Sequence, residues 1–193
     1  MTQSLEGEIL KDASVKIARF KSIGLHYNLV ANQIYAKRRG TDPFDESFLP
    51  YIIAGLISFD MTRKGIMGKQ PYEFFAARLR SKLQCLRPLL KPLMNLALTQ
   101  TNLQERSDNI IKSYNALAAK GEGALHAKGK HFPVGTTKIL HFLNPRLFII
   151  IDSNAARAFG LPFRNGQPEY SAELYIQCME KAQEDIRGYG AMA

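Results

Sequence analysis

A carboxylate stands where an apolar stretch of the chain gives way to a helix. Asp152 closes the apolar run 147–151 and precedes Ser153, Asn154 and two alanines, a sequence typical of a helix start. Such a carboxylate can cap the helix by accepting bonds from its free backbone N–H groups. If it is buried, it can instead stabilise positive charge at a reacting carbon or activate a nucleophile. The sequence leaves both roles open for Asp152.

A second segment that could do chemistry lies just before this run. Residues 131–138 read His-Phe-Pro-Val-Gly-Thr-Thr-Lys, and this pattern predicts a tight turn closed by Gly135 and followed by a new helix. The first N–H groups of a helix lack partners and carry partial positive charge, so a helix start can hold a phosphate. The candidate phosphate-contacting residues of the segment are Val134, Gly135, Thr136, Thr137 and Lys138.

The order of turn, helix, apolar run and carboxylate resembles the core of the helix-hairpin-helix DNA glycosylase superfamily. That group includes endonuclease III and the alkyl-adenine and adenine glycosylases, and the resemblance covers residues 130–160. It implies double-stranded DNA as the partner, a DNA N-glycosylase activity, and Asp152 as the catalytic carboxylate. It also implies a hairpin that holds a DNA phosphate, in some members with a monovalent cation; no other cofactor and no metal ion is expected.

Two roles are open for Lys138. Glycosylases that also cleave the DNA strand form a Schiff base through a lysine of the hairpin's second helix, and a desolvated amine beside a carboxylate is a competent nucleophile. In the family that lysine stands where Thr137 stands here, and Lys138 lies one residue further, about 100° around a helix. This offset favours a phosphate contact over strand cleavage. His131 is expected to contact a phosphate, and Arg157 to contact a phosphate or support the carboxylate.

The charge of the chain agrees with a polyanionic partner. Lys and Arg number 26 against 17 Asp and Glu, a net charge of +9, and neutralising phosphates releases condensed counterions. Five cations of one helical stretch predict either a face that follows the DNA backbone or an ordinary solvated face. They are Arg78, Arg80, Lys82, Arg87 and Lys91.

Composition also sets expectations for the cell compartment. No apolar run reaches the roughly 18 residues of a membrane span, and the amino terminus lacks the pattern of a signal peptide. A soluble, cytoplasmic protein that does not enter membranes is therefore expected. In that compartment Cys85 and Cys178 are expected to be reduced core residues.

Apolar residues recur at helical spacing through most of the chain. Helices are predicted for residues 5–35 (in two parts, divided near Gly24), 46–61, from Pro71 onwards, 89–98, 107–120 and 171–187. The helix 46–61 is apolar almost all round, which predicts a buried central helix. Phe74 and Phe75 are expected on a buried face. Residues 147–151 are strand-like but lack a partner strand, so a buried extended segment or a helix entry is expected.

Together these elements predict an all-α fold. We expect one domain over residues 1–193, with two helical lobes around a cleft and with the helix-hairpin-helix-like element and Asp152, within residues 107–160, facing that cleft. The alternative function is a non-catalytic DNA-binding or interaction module on the same scaffold, and a third is an enzyme of other chemistry. A pocket beside Asp152 with room for a base would favour the glycosylase, whereas a filled cleft would favour the module.

Overall fold

The computed structural model describes residues 25–58 and 72–190. These residues form seven α-helices: α1 (Leu25–Arg39), α2 (Leu49–Ser58), α3 (Tyr72–Leu90), α4 (Leu103–Ala118), α5 (Pro133–Leu143), α6 (Ser153–Ala158) and α7 (Ala172–Gly190). Short 3₁₀ turns occupy Glu46–Phe48, Lys91–Leu93 and Leu98–Gln100, and the strands β1 (Phe163–Arg164) and β2 (Gln167–Pro168) form one small antiparallel hairpin. The fold is all-α, as the sequence predicts. The division into two lobes stays a prediction.

The central helix of the described residues is α5. It packs against α2 on one side and α4 on another, and α4 in turn contacts α3 and α7. Every residue from Gly135 to Leu143 is buried except His141, because neighbouring helices surround this helix. The sequence predicts this central role for residues 46–61 instead. There α2 buries Ile52, Ile53 and Leu56 but leaves Ile57 exposed.

Several predicted elements are confirmed. A helix follows Gly24 as α1, and α7 begins where predicted, with the Ser171 hydroxyl accepting a bond from the Leu174 N–H at 3.1 Å. Residues 148–152 form no helix or strand, and Leu147, Phe148 and Ile151 are buried. The first predicted helix of residues 5–35, Pro71 and the end of the segment 46–61 lie outside the described residues.

Other predicted boundaries are wrong because tertiary packing outweighs local signals. The predicted helix 89–98 is absent: α3 continues through Pro88, which lies on the exposed side, to Leu90, and only short 3₁₀ turns follow. Helix α4 begins at Leu103, not at Ser107 or Asp108. Leu103 is buried, and its packing extends the helix towards the amino terminus.

Two single-residue expectations are also wrong. Phe74 is 56% exposed, whereas its neighbour Phe75 is buried against the core. Of the two cysteines predicted in the core, Cys178 is buried but Cys85 is exposed on α3. Phe74 and Cys85 both lie on α3, which has one buried face. The apolar pattern of the sequence assigns them to that face, although they lie on the exposed one.

Candidate functional site

Asp152 caps the amino terminus of α6. Its Oδ1 accepts bonds from the N–H groups of Asn154 at 2.9 Å and Ala155 at 2.8 Å, which fixes the carboxylate at the helix start. Both bonds end on Oδ1, so capping does not occupy Oδ2. The residue is half-buried. The structural role considered for Asp152 is therefore present, and one carboxylate oxygen is left for another partner.

The apolar run before Asp152 is fixed by bonds to neighbouring helices. The Ile151 N–H donates to Thr137 Oγ1 of α5 at 3.2 Å, and the Tyr175 hydroxyl of α7 donates to the Ile149 carbonyl at 3.0 Å. These bonds take the place of a partner strand for an extended segment whose backbone groups would otherwise be buried unpaired. The carboxylate therefore follows a rigid stretch of backbone.

The turn predicted at Pro133-Val134-Gly135 is wrong. Helix α5 begins at Pro133 itself, with Phe132 as its N-cap and the Thr136 N–H bonded to the Phe132 carbonyl at 3.0 Å. Proline is favoured in a first helical turn because it donates no N–H and has a helical φ. Gly135 is needed for packing: a Cβ there would lie 2.0 Å from the Phe132 ring. Residues 119–132 before α5 contain no helix, so no helix–hairpin–helix unit forms there.

The residues predicted to bind a phosphate at this helix start differ in accessibility. Gly135, Thr136 and Thr137 are buried, whereas Val134 is half-buried. The Thr137 hydroxyl is already used, since it donates to the Val134 carbonyl at 3.0 Å and accepts from Ile151. Thr136 Oγ1 is buried without a hydrogen-bond partner among the described residues. Most of the predicted phosphate-binding segment therefore faces the protein interior.

Lys138 is also buried, with 5% of its surface exposed. Burial lowers its pKa to about 8 from 10.5, and the nearby charge of Asp152 acts in the opposite direction. Desolvation disfavours the charged amine, while the carboxylate favours it. The structure therefore places the Lys138 amine within electrostatic range of Asp152, in surroundings that leave part of the amine neutral near physiological pH.

Tyr170 joins this pair, a residue that the sequence does not indicate. It lies before α7, and its pKa is raised by burial and then by the charge of Asp152. No sequence spacing or motif relates Tyr170 to Asp152. The β1–β2 hairpin lies between them in the sequence and reverses the direction of the chain. An adjoining cavity, bordered by Thr137, Ile151 and Tyr170, is too tight to admit a water molecule. The space beside the carboxylate is thus closed on this side.

A basic loop precedes α5. Its residues 119–132 include Lys120, Lys128 and Lys130, and its histidines have lowered pKa values. For His131 the causes are burial and then Lys120; for His126 they are burial, Lys130 and Lys128. His131 is half-buried and Lys128 and Lys130 are exposed, so this loop presents positive charge next to the start of α5.

Arg157 is exposed in the last turn of α6. Its guanidinium lies over the Phe163 ring of β1, 5.3 Å from the ring centroid, a cation–π contact that orients the side chain. This position suits the predicted phosphate contact; among the described residues the guanidinium contacts Phe163 and makes no ion pair with Asp152.

The five cations of α3 and its continuation are mostly engaged within the protein. Arg78 and Lys82 donate to carbonyls of Ala124 and Ala116, and Arg80 and Arg87 pair with carboxylates. Ion pairs of this kind neutralise part of the positive charge on this surface. The solvated-face interpretation of this stretch therefore fits the contacts better than a face that follows DNA.

Comparison with models of known protein families found no match, and neither the curated proteins nor the solved structures compared with the chain gave one. Within residues 25–58 and 72–190, no group of three or more His, Cys, Asp and Glu side chains is placed to hold a metal ion. None of the helices in this described part combines the length and apolar character that crossing a membrane requires.

Proposed function

We propose that the protein binds double-stranded DNA and releases a base from it by N-glycosylase chemistry, with Asp152 as the catalytic carboxylate. One observation carries the proposal: a buried lysine amine lies within electrostatic range of a carboxylate that is fixed at a helix start. A buried lysine with a lowered pKa next to an acid is a common feature of reactive sites. The reaction is the one implied by the resemblance over residues 130–160, of which the structure contains the helix and the capping carboxylate but not the hairpin turn.

The chemistry follows from the two groups. When the glycosidic bond breaks, the base leaves with the bonding electron pair and positive charge develops at C1′ of the sugar. The carboxylate of Asp152 can stabilise this charge through Oδ2. If water attacks C1′, Asp152 accepts the proton that the water loses. Either step needs the carboxylate held in place, which the N-cap bonds to Oδ1 provide.

Lys138 offers a second nucleophile. With a pKa of about 8, roughly a tenth of the amine is neutral at pH 7. Attack of this neutral amine on C1′ displaces the base, which leaves with the electron pair of the glycosidic bond. The C1′–O4′ bond then breaks; one amine proton goes to the base and the other to O4′, which leaves a Schiff base at C1′, the route to strand cleavage. The burial of Lys138 favours this role over the phosphate contact that its sequence position favours. Phosphate contacts then fall to the exposed Arg157 and to the basic loop 119–132.

A specific observation supports the alternative of a non-catalytic DNA-binding module. The cavity bordered by Thr137, Ile151 and Tyr170 admits no water molecule, so an extruded base would need this side of the site to open. A module without base chemistry needs no such space. It would bind duplex DNA with the same salt dependence but would release no base.

The experiment that separates the two is incubation with duplexes that carry uracil, alkylated purines, oxidised guanine or abasic sites. Base release from one of them supports the glycosylase, whereas binding without release from any duplex supports the module. Borohydride added to the same reactions traps a covalent complex only if an amine of the protein attacks the sugar, and loss of the complex in Lys138→Gln assigns that amine to Lys138. No binding to any duplex would overturn both.

A further inference from the structure

A second site lies at the opposite end of α5, away from its start. Arg38 and Arg39 from the end of α1 and Arg146 from the segment after α5 converge on an open pocket of about 500 Å³. Tyr35, Asn95 and Asn144 complete its polar lining, and no carboxylate is among the described residues that border it. The volume is within the range of roughly 300–1,000 Å³ that is usual for small-molecule sites.

The pocket is held in place by bonds to the backbone. Arg38 Nε donates to the Leu143 carbonyl at 2.8 Å. The side chain of Asn144, 3% exposed, donates to the carbonyls of Leu93 at 2.8 Å and Leu96 at 2.9 Å. Its Oδ1 accepts from the Arg146 N–H at 3.1 Å. The backbone that carries the arginines is therefore fixed before any ligand arrives.

A structural role accounts for only one of the three arginines. Cations at a helix end offset its partial negative charge, and Arg38 does this directly for the end of α5. Burial lowers its pKa, and the charge of Asp42 only partly compensates, since that carboxylate also binds Arg87 at 2.9 Å. Arg39 and Arg146 are exposed, and the fold requires neither guanidinium at the rim of this pocket.

Tyr35 is fixed by a buried relay. His141 Nδ1 lies 2.7 Å from the Phe148 carbonyl and Nε2 lies 2.7 Å from the Tyr35 hydroxyl. A carbonyl only accepts, so Nδ1 carries the hydrogen, and the neutral ring then accepts the Tyr35 proton at Nε2. Burial lowers the His141 pKa, which favours this neutral form. The tyrosine ring thus stays in the pocket wall, where an aromatic surface suits a base or a sugar.

We propose that this arginine pocket, lined by Tyr35, Arg38, Arg39, Asn95, Asn144 and Arg146, binds the phosphate of a nucleotide unit. The guanidinium groups match phosphate oxygens in geometry and charge, and the Tyr35 ring supports the attached nucleoside. The nucleotide can be free or part of a nucleic-acid strand. The proposal does not depend on base-excision chemistry at Asp152.

The test is calorimetric binding of three probes at low salt: inorganic pyrophosphate, deoxyadenosine monophosphate and an oligothymidylate strand. In Arg39→Ala/Arg146→Ala, affinity for every probe that the wild type binds should fall at least about tenfold, as loss of charge-assisted bonds predicts. Arg106→Ala/Lys181→Ala removes the same charge from exposed positions of α4 and α7 and should change affinity less than about twofold. Arg38 is left intact because its bonds hold the fold.

The probes also distinguish the source of the phosphate. Binding of pyrophosphate and the mononucleotide identifies a free nucleotide, and binding of the strand alone identifies a nucleic-acid phosphate. If the alanine pair lowers the melting temperature, Arg39→Gln/Arg146→Gln replaces it. The proposal is overturned if the wild type binds none of the probes, or if the pocket variant binds them as tightly as the charge-matched control. The assay measures no base release, so failure of the base-excision proposal would not affect it.

Discussion

Burying the Lys138 amine costs the folded protein free energy that an apolar residue at this position would not cost. The amine has a pKa of about 8 in the folded protein and 10.5 as its ordinary value. Between these values the unfolded chain holds a proton that the folded chain has lost, so stability rises with pH across this window. Below pH 8 the full cost is present, at most about 3.4 kcal/mol at 1.36 kcal/mol for each pKa unit.

Replacing this amine should therefore stabilise the fold. We expect Lys138→Met to raise the free energy of unfolding at pH 7 by roughly 1–3 kcal/mol, because the apolar side chain fills similar space and removes the desolvation cost that lowers the pKa of the amine. The gain should shrink towards pH 10. Urea denaturation at pH 7, 8.5 and 10 measures this. Lys112→Met removes an exposed lysine of α4 and should change stability by less than about 0.5 kcal/mol.

A lower stability of Lys138→Met at pH 7 would mean that the contacts of the amine outweigh its burial. Lys138 would then be a stabilising residue of the core, and the argument for a reactive amine would lose its physical basis.

At the scale of elements, the start of α5 depends on a glycine that makes no turn. In Gly135→Ala the new methyl would lie 2.0 Å from the Phe132 ring, which is itself buried. Overpacking of this kind typically costs 1–3 kcal/mol, more than the roughly 1 kcal/mol that alanine gains over glycine in a helix. We expect a lower melting temperature and a shift of Ile151 and Asp152, which are tied to α5 through Thr137.

Gly188 provides the matched control for this change. It is an exposed glycine of α7, and among the described residues no atom outside its own stretch of helix lies within 4 Å of the place that a methyl group would take there. Gly188→Ala should therefore leave stability unchanged or raise it by up to about 1 kcal/mol. If Gly135→Ala were as stable as Gly188→Ala, the Phe132 ring would not be holding the start of α5.

The same elements show what could be predicted from sequence. The all-α fold, the cap at Asp152 and the start of α7 at Ser171 follow from local patterns that packing leaves intact. The start of α5 could not be predicted, because Pro133 suits both a turn and a first helical turn. Only the Phe132 ring over Gly135 decides between them. The proximity of Tyr170 to Asp152 and the relay from Phe148 to Tyr35 depend on long-range packing, for which the sequence has no pattern.

At the scale of the whole molecule, the net charge of +9 is distributed unevenly. Four cations of the α3 stretch are engaged within the protein, whereas Lys128 and Lys130 of the basic loop are exposed. We therefore expect duplex affinity to fall steeply with salt. Lys128→Gln/Lys130→Gln should reduce the slope of log K against log salt by up to about 1.8, close to 0.9 for each lost phosphate contact.

Arg106→Gln/Lys181→Gln carries the same net charge and should keep the wild-type slope. Fluorescence anisotropy over a series of salt concentrations gives the three slopes. An equal reduction in both variants would show that net charge, not the basic loop, sets DNA affinity.

The central claim is tested most directly by the rate of base release in Asp152→Asn, measured in single turnovers on a duplex that the wild type processes. Asparagine caps a helix about as well as aspartate, so the melting temperature should stay the same and duplex affinity should be kept or rise. Asp45→Asn, at another capping aspartate, is the control and should keep the wild-type rate. We expect the Asp152→Asn rate to fall on the order of a hundredfold or more, because an amide cannot balance positive charge at the sugar. Undiminished base release with an unchanged melting temperature would show that Asp152 is only a helix cap and would contradict the account.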